Sequence, residues 1–195
     1  MNRHAQRQQG ATLIEVLVAI IIVVFGLLGL AGLQSRVSLA EVEAFQRAQA
    51  ILLLNDMVAR INANRRNATT YAAGGAALGT GNPQQDCSTA SSTAALDLCE
   101  WNNALLGATE GLGGNSVGAM QDARGCIDAL QGTMPKQFRV SVVWRGSGPT
   151  VVPGATTCGQ GSYGNDATRR AITATIELGC LQNDPATALC VSTYN

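Results

Sequence analysis

The chain has 195 residues and a formal net charge of zero; 46% of its residues are hydrophobic, but only 4% are aromatic and 13% charged. The length fits one domain, or one domain with an appendage. Phosphate binding needs a concentrated positive face, and the sequence has no basic tract beyond two Arg pairs, so we expect no nucleic-acid partner.

A basic leader comes first, followed by a long apolar run. Arg3 and Arg7 lie in the leader, and the 18 residues from Val16 to Leu33 carry no charge. About 20 apolar residues span a bilayer as a helix, and the positive-inside rule leaves the leader in the cytoplasm. A cleaved secretory signal would place its small residues after the run, whereas Gly10-Ala11 precede it. The pattern predicts one inner-membrane span with the body in the periplasm.

One carboxylate, Glu15, lies just inside the apolar run. At the centre of a membrane helix it would cost about 2.5–3.5 kcal/mol. In one interpretation it is an interfacial residue whose side chain reaches the headgroups. In the other, cleavage after Gly10 gives Ala11 a free amine, and this amine and a carboxylate of the same or a neighbouring helix neutralise each other. The residues alone leave both interpretations open.

The stretch "GATLIEV" (residues 10–16) resembles the class III signal of type IV prepilins and of type II secretion pseudopilins. The resemblance implies that a prepilin peptidase cuts between Gly10 and Ala11 and methylates the new amine. It also implies that Glu15 acts in assembly. The family usually has Phe after the cut, so Ala11 departs from its pattern.

The helix is predicted to continue beyond the membrane through Asn64, because the segment from Gln34 has no proline or glycine. Apolar and small residues recur there at three- and four-residue steps, which indicates an amphipathic helix with one buried face. The predicted face comprises Val37, Ala40, Ala44, Ala48, Ile51, Leu52, Asn55, Val58 and Ala59.

Two further stretches indicate a more specific resemblance within this family. "GLLGLAGLQS" and "QRAQAILLLNDMVARINANRRNATTY", the latter with its Arg-x-Asn-x-Asn-Arg pattern at residues 60–65, are similar to minor type IV pilins of the PilV kind. The resemblance implies an α+β pilin fold, in which a long N-terminal helix packs on a small, disulfide-stabilised antiparallel sheet. The expected organisation is a leader (1–10), a transmembrane and assembly half-helix (11–33), an amphipathic half-helix (34–66) and a periplasmic head (67–195).

Within the head, residues 72–95 are small and polar and are predicted to be loop. A short helix carrying Cys99 and Trp101 is expected over 95–106, then a glycine-rich turn and a weak strand over 116–120. "KQFRVSVVWRG" and "RRAITATIEL" show strict alternation, which predicts two half-buried strands of an antiparallel sheet. Their inward residues are Phe138, Val140, Val142, Trp144, Ile172, Ala174, Ile176 and Leu178. An edge strand is expected over 189–193.

All six cysteines lie in the head: Cys87, Cys99, Cys126, Cys158, Cys180 and Cys190. None forms a C-x-x-C pair and no histidine stands near them, so structural zinc is disfavoured and disulfides in an oxidising compartment are favoured. Six cysteines allow 15 pairings. Proximity favours the sequential scheme of 87 with 99, 126 with 158, and 180 with 190.

No enzymatic site is indicated. The only histidine, His4, lies in the leader, which removes the histidine that a Ser-His or Cys-His site needs. Gly159-x-Gly161-x-x-Gly164 matches a dinucleotide fingerprint in letters but follows a loop rather than a strand. Asp122, Asp128, Asp166 and Asp184 are interpreted as turn residues, since no calcium-loop pattern is present. We therefore expect no cofactor and no metal.

The function implied by the resemblance is that of a minor type IV pilin. Such a subunit joins a tip or priming complex, initiates or modifies pilus assembly and supports adhesion and twitching motility. Its implied partners are the prepilin peptidase, other minor pilins, the major pilin and a tip adhesin. It resides in the inner membrane before it joins the surface pilus. The alternative is a minor pseudopilin of a type II secretion system.

Overall fold

The computed structural model describes residues 12–73, 75–108, 111–112, 115–116, 120–131 and 136–179. The chain divides into two compact units, Met1–Val42 and Glu43–Asn195. The predicted leader, the cleavage residues Gly10 and Ala11, the last cysteine pair and the edge strand over 189–193 lie outside the described residues.

The first helix, α1, is a single helix of 51 residues, Leu13–Ala63. The carbonyl of Thr12 accepts hydrogen bonds from the backbone N–H groups of Glu15 (3.0 Å) and Val16 (3.3 Å) and so starts the helix. Glycines at 26, 29 and 32 do not interrupt it. The predicted continuous helix is therefore confirmed over the described range.

The remaining elements all belong to the second unit. They are α2 (Ala68–Ala72), β1 (Leu78–Gly79), α3 (Thr93–Leu105), β2 (Gly111–Leu112), β3 (Asn115–Ser116), β4 (Arg124–Gln131), β5 (Lys136–Arg145) and β6 (Arg169–Leu178). Strands β1, β4, β5 and β6 form one antiparallel sheet in the order β1-β4-β5-β6, and β2 pairs with β3 separately. The predicted α+β fold is confirmed.

The sheet is centred on β5, which pairs along its full length with β6, from Lys136 opposite Leu178 to Arg145 opposite Arg169. Both strands were predicted from their alternation. On its other side β5 pairs with β4, a strand that sequence reasoning missed. Gly125 and Asp128, residues that disfavour strands, lie within β4 and dilute its signal.

Three boundaries differ from the sequence prediction. Residues 72–95 are not entirely loop, because β1 lies there and joins the edge of the sheet. Helix α3 begins at Thr93, two residues earlier than expected, because the Ser92 side chain caps it by accepting from the N–H of Ala95. Of the strand expected over 116–120, Ser116 ends β3 and Met120 is not in a strand, and residues 117–119 lie outside the described residues.

The inner face of the sheet packs against helices and forms the main core. Phe138, Val140 and Val142 of β5 are at most 1% exposed. Trp101 of α3 is fully buried, and its indole N–H donates to the carbonyl of Leu53 in α1 at 2.9 Å. From the helices, this core receives Ala50, Leu54, Met57, Ile61, Tyr71, Ala94 and Leu105.

The face that α1 turns to this core is not the predicted one. Ala50, Leu54, Met57 and Ile61 are the buried residues of α1. Of the nine residues predicted to be inward, only Val58 is partly buried and the rest are exposed. The prediction was wrong because α1 carries apolar or small residues on opposite sides, and periodicity alone does not say which side faces the sheet.

The outer face of the sheet is covered by the outer loop, the β5–β6 connection at residues 146–168. Val143 packs beneath it with Cys158 and Tyr163, and Ser141 is also fully buried. The prediction that β5 is only half-buried was therefore wrong for its middle.

Polar and covalent links hold the outer loop. The guanidinium of Arg169, which is 1% exposed, donates to the carbonyls of Pro153, Thr156 and Cys158 and to the carboxylate of Asp166. The hydroxyl of Ser141 donates to Thr156 Oγ1 at 3.0 Å. Because an extended loop offers few apolar side chains, these links replace part of the burial that stabilises the inner face.

Candidate assembly and processing site

The processing segment is represented in the described residues by Glu15 and its neighbours. Glu15 lies in the first turn of α1, where a carboxylate interacts favourably with the helix dipole. Thr12 and Glu15 have the spacing of a capping box. The carboxylate therefore has a local contribution to helix stability, in addition to any role in assembly.

In the first unit, α1 has no packed side. Every described residue from 12 to 42 is exposed, including Phe25 (70%) and Leu28 (64%). Its most apolar 18-residue window has a mean hydropathy of 3.0, and this is the one candidate membrane span within the described residues. An apolar helix without a core of its own requires lipid or other helices around it.

In the second unit, the same helix has a further apolar side that the head does not cover. The outer helix face consists of Phe45, Ala48, Leu52, Asn55 and Ala59, spaced by three and four residues. All five are exposed, Phe45 by 54% and Leu52 by 63%. None is charged. At 100° per residue this stripe lies opposite the buried residues of α1, so the helix is apolar on two sides.

The C-terminal end of α1 is tied to α3 by a charged cluster around Arg60. Its guanidinium donates to Asp56 (2.9 Å), to Asp97 (2.9 Å) and to Glu100 (2.6 Å). Asp97, only 8% exposed, also accepts a hydrogen bond from the hydroxyl of Tyr71. The cluster joins α1, α2 and α3 through one buried carboxylate.

The pKa values of Tyr71 and Arg60 are shifted by burial and by the hydrogen bonds of this cluster. Burial raises the pKa of the Tyr71 phenol to about 12, and its hydrogen bond to Asp97 adds to the effect. For Arg60, burial alone would lower the pKa, but the hydrogen bonds to Glu100, Asp97 and Asp56 raise it on balance. Both groups keep their ordinary neutral-pH charge, and their hydrogen bonds hold α1, α2 and α3 together.

An open polar groove of about 630 Å³ lies beside this cluster, lined in part by Gln84, Asp86, Glu100 and Asn103. Its carboxylates already have partners: Asp86 accepts from the N–H of Ser88, and Glu100 accepts from Arg60. Within the described ranges, no group of three or more His, Cys, Asp or Glu side chains is placed to bind a metal.

The cysteines pair as the sequential scheme predicts wherever they are described. Cys87 bonds Cys99, which fixes residues 82–92 to α3, and Cys126 bonds Cys158, which fixes the outer loop to β4. The predicted pair of Cys180 and Cys190 lies outside the described residues.

The glycine pattern of the outer loop has a conformational cause. Gly159, Gly161 and Gly164 have φ values of +63°, +75° and +74°, which favour glycine over other residues. No strand precedes them and only a short 3₁₀ turn, Asp166–Thr168, follows, so the structure does not place a dinucleotide fold there.

The aspartates interpreted as turn residues divide into two groups. Asp122 lies in a turn with φ +53°, and Asp166 begins the 3₁₀ turn. Asp128, however, is a strand residue of β4 opposite Arg139, so its interpretation as a turn residue was wrong. Asp184 lies outside the described residues.

Sequence reasoning missed one long-range contact between α1 and the sheet. Glu43 of α1 accepts from Arg170 of β6 at 2.7 Å, and the same guanidinium donates to Thr150 Oγ1 and to the carbonyl of Gly148. The two residues are 127 positions apart, so no local pattern indicates the pair.

Two family models match the chain in succession. The prokaryotic N-terminal methylation motif matches residues 5–31, and the type IV pilin Tt1218 family matches residues 32–103. The chain is type IV pilin-like. No curated protein and no solved structure matches it.

The match to the methylation motif covers the N-terminal segment of this pilin-like chain and indicates how the segment is processed. The methylation motif includes Gly10, Ala11 and Glu15, and it implies processing by a prepilin peptidase and assembly with other pilins. The apolar helix and the motif together are consistent with membrane anchoring. The pilin family is one of structural proteins, in agreement with a site built for packing.

Proposed function

We propose that the protein is a minor type IV pilin of the PilV kind, a subunit of the tip or priming complex that initiates or modifies pilus assembly. In this role it supports adhesion and twitching motility and contacts other minor pilins, the major pilin and a tip adhesin. It matures in the inner membrane with its head in the periplasm and then joins the surface pilus.

The observation that carries the proposal is the outer helix face. A head that functioned alone would gain nothing from an exposed Phe45 and Leu52 on a stripe whose five residues include no charge. Contiguous exposed apolar surface is typical of protein interaction sites. A helix of a neighbouring subunit is the partner that such a stripe fits, with its small residues, Ala48 and Ala59, allowing close approach.

Leu52→Asp tests this role. The side chain is 63% exposed, so the fold should be retained, but a charge on the stripe should strongly reduce recovery of the protein in sheared pili. Val151→Asp is the matched control: it places the same charge on a residue that is 90% exposed on the outer loop and should leave recovery unchanged. Equal recovery of the two variants would contradict the proposed role of the stripe.

Processing is the second element of the proposal. Mass spectrometry of assembled protein should show a chain that begins at a methylated Ala11, and Gly10→Leu should leave the full-length protein in the inner membrane. An intact Met1 in assembled material would be incompatible with this maturation.

Glu15→Ala separates cleavage from assembly. The variant should still be cut and inserted, because removing a charge makes membrane residence easier. Its entry into the filament should fail or slow, because the incoming amine loses its counter-charge. Unchanged pilus number and co-purification with partner pilins would argue against this role.

Deletion distinguishes a pilus from a secretion machine. We expect loss of surface pili and twitching with normal export of folded proteins. Normal pili with a defect in export would instead identify a minor pseudopilin. The match of residues 32–103 to a type IV pilin family supports the first outcome.

A further inference from the structure

The side of α1 that faces the sheet changes from polar to apolar along the helix. Its buried residues are all apolar, and they are Ala50, Leu54, Met57 and Ile61. In residues 43–49, which we call the polar segment, the partly buried residues are instead Glu43, Gln46 and Gln49. Because burying a polar group is unfavourable unless it is hydrogen-bonded, the polar segment is held less strongly than the rest of the packed helix.

Two polar atoms at this end of the sheet have no hydrogen-bond partner among the described residues. They are Oε1 of Gln46 and the indole nitrogen of Trp144, a residue that is 3% exposed. Trp144 lies opposite Arg170 in the β5–β6 pairing. Arg170 in turn contacts Glu43, which precedes Gln46 by about one helical turn. Both unpaired atoms therefore lie where the polar segment meets the sheet, and each makes this contact less favourable.

One guanidinium holds the polar segment and the outer loop together. Nε of Arg170 donates to the carboxylate of Glu43 at 2.7 Å, and this is the one side-chain hydrogen bond between the polar segment and the sheet within the described part of the chain. The Nη atoms of Arg170 donate to Thr150 Oγ1 at 2.7 Å and to the carbonyl of Gly148 at 2.9 Å. The same side chain thus binds α1 and the start of the outer loop.

Gly146 provides the space for this guanidinium. A β-carbon at position 146 would lie 2.6 Å from Cζ of Arg170, which is too close for two non-bonded atoms, so any other residue there would displace the guanidinium. If the polar segment moves away from the sheet, Arg170 loses Glu43, one of the partners that fix its position.

We propose that the polar segment opens away from the sheet while α1 stays packed from Ala50 onwards, and that Arg170 couples this opening to the outer loop. In the closed state the guanidinium binds both Glu43 and residues 148–150. In the open state it has lost Glu43, and its bonds to residues 148–150 weaken because the side chain is less ordered.

The coupling is reciprocal, so that whatever orders one of the two segments also orders the other. Phe45 and Ala48 of the outer helix face lie in the polar segment. A partner helix that binds this face more tightly in one of the two states would therefore also change how firmly residues 148–150 are held. The coupling itself is a property of the free chain and does not depend on the proposed function.

The indole N–H groups of the two tryptophans report the opening within one molecule. NMR of the full chain in detergent micelles, after transfer to heavy water, gives the exchange rate of each. The N–H of Trp101 donates to Leu53 in the apolar part of the packed helix, whereas that of Trp144 lies at the polar segment. In the wild-type chain the Trp144 indole should exchange at least about tenfold faster. Equal rates would show that the two parts of α1 open together and would overturn the proposal.

Glu43→Ala tests the coupling from the α1 side. Exchange of the Trp144 indole should accelerate by about threefold to fivefold, and that of the Thr150 amide, which donates to the carbonyl of Ala167 at 2.7 Å, by a similar factor. The Trp101 indole should not change. An unchanged Thr150 amide in this variant would contradict the coupling through Arg170.

Glu41→Ala is the matched control for this variant. It removes the same charge from an exposed residue of the same helix and should alter none of the three exchange rates. Equal acceleration in Glu41→Ala and Glu43→Ala would show that the charge of α1, and not the bond to Arg170, causes the effect.

Gln46→Met should have the opposite effect. Methionine has a similar volume and no amide, so the closed state no longer contains an unpaired carbonyl oxygen, and exchange of the Trp144 indole should slow by up to about tenfold. Unchanged or faster exchange would show that Gln46 has a stabilising partner in the closed state, such as a bridging water, and that the polar segment is not weakly held.

Discussion

The two faces of the sheet are buried by different means. On the inner face, helices α1 and α3 pack large apolar side chains against the sheet; Trp101 of α3 is 0% exposed and Phe138 of β5 is 1% exposed. On the outer face a loop takes the place of a helix, and its contacts are a disulfide, a buried arginine and a hydroxyl pair.

The difference follows from the chemical groups that a helix and a loop present to the sheet. A helix presents a continuous apolar stripe, whereas a loop has unpaired backbone carbonyls that need donors. Arg169 satisfies three of those carbonyls with one guanidinium. The inner face should therefore respond most to lost volume, and the outer face to lost links. The four predictions that follow use the purified full chain and measure its unfolding, and one of them also measures hydrogen exchange.

The largest effect is expected on the inner face. Trp101→Ala should lower the free energy of unfolding by about 3–5 kcal/mol, because it leaves a cavity in the core. The carbonyl of Leu53 would also lose the indole donor. Denaturant titration measures the change, and Trp101→Phe, which retains most of the volume, should cost clearly less. A loss below about 1 kcal/mol for the Ala variant would contradict the assignment of the main core to this face.

The outer face should depend on its disulfide. Replacing both Cys126 and Cys158 by Ser should cost up to about 4 kcal/mol, and replacing both Cys87 and Cys99 up to about 3 kcal/mol, in the chain-entropy model. The order follows from the sequence separations of 32 and 12 residues. Comparing the two double variants by denaturation checks this order, and a reversed order would show that native contacts outweigh loop closure.

A somewhat smaller effect is expected at Arg169. Arg169→Met retains much of the volume but leaves carbonyls beneath the outer loop without a donor, at a cost of about 2–3 kcal/mol. Arg170→Met removes the partly exposed pair with Glu43 and the bonds to Gly148 and Thr150 at the start of the outer loop, and it should cost less than Arg169→Met. Hydrogen exchange of residues 153–166 should accelerate only in the first variant. Equal exchange in both would argue against Arg169 as the anchor of the loop.

The smallest effect concerns pH. The pKa of Tyr71 is about 12 in the folded chain, against 10.0 for the free side chain. Between these values the unfolded chain loses the phenol proton and the folded chain keeps it, so stability falls as pH rises from about 10 to about 12, by at most about 1.4 kcal/mol per pH unit. Tyr71→Phe should remove this component of the slope and cost about 1 kcal/mol at neutral pH. Identical slopes in both proteins would contradict the raised pKa of Tyr71.

Local patterns predicted much of the fold. Strands β5 and β6 alternate strictly, and sequential cysteine pairing holds at both described disulfides. Features that depend on contacts between distant residues could not be predicted from such local patterns. Strand β4 forms because β5 provides a partner, and Ser141 and Val143 are buried because a distant loop returns over them.

The sequence located one part of the candidate site, Glu15, but did not place the apolar stripe on the correct side of α1. Glu15 was identified from its place in an apolar run, and the described structure adds its position in the first turn of α1. The stripe of Ala48, Leu52, Asn55 and Ala59 was also found in the sequence but was assigned to the core. Its periodicity was correct, but the stripe does not face the core, because α1 carries apolar residues on two sides and a single sequence does not rank them.

One contact in the inner core has a consequence for sequence variation. A β-carbon added to Gly125 would lie 2.6 Å from Cζ3 of Trp101 and 2.8 Å from Cδ1 of Leu105, closer than real side chains approach. The tryptophan ring thus takes the space that a side chain on β4 would need. Among relatives, positions 101 and 125 should covary: a bulky aromatic residue on α3 should accompany glycine on β4, and a larger residue at 125 should appear only where 101 is small.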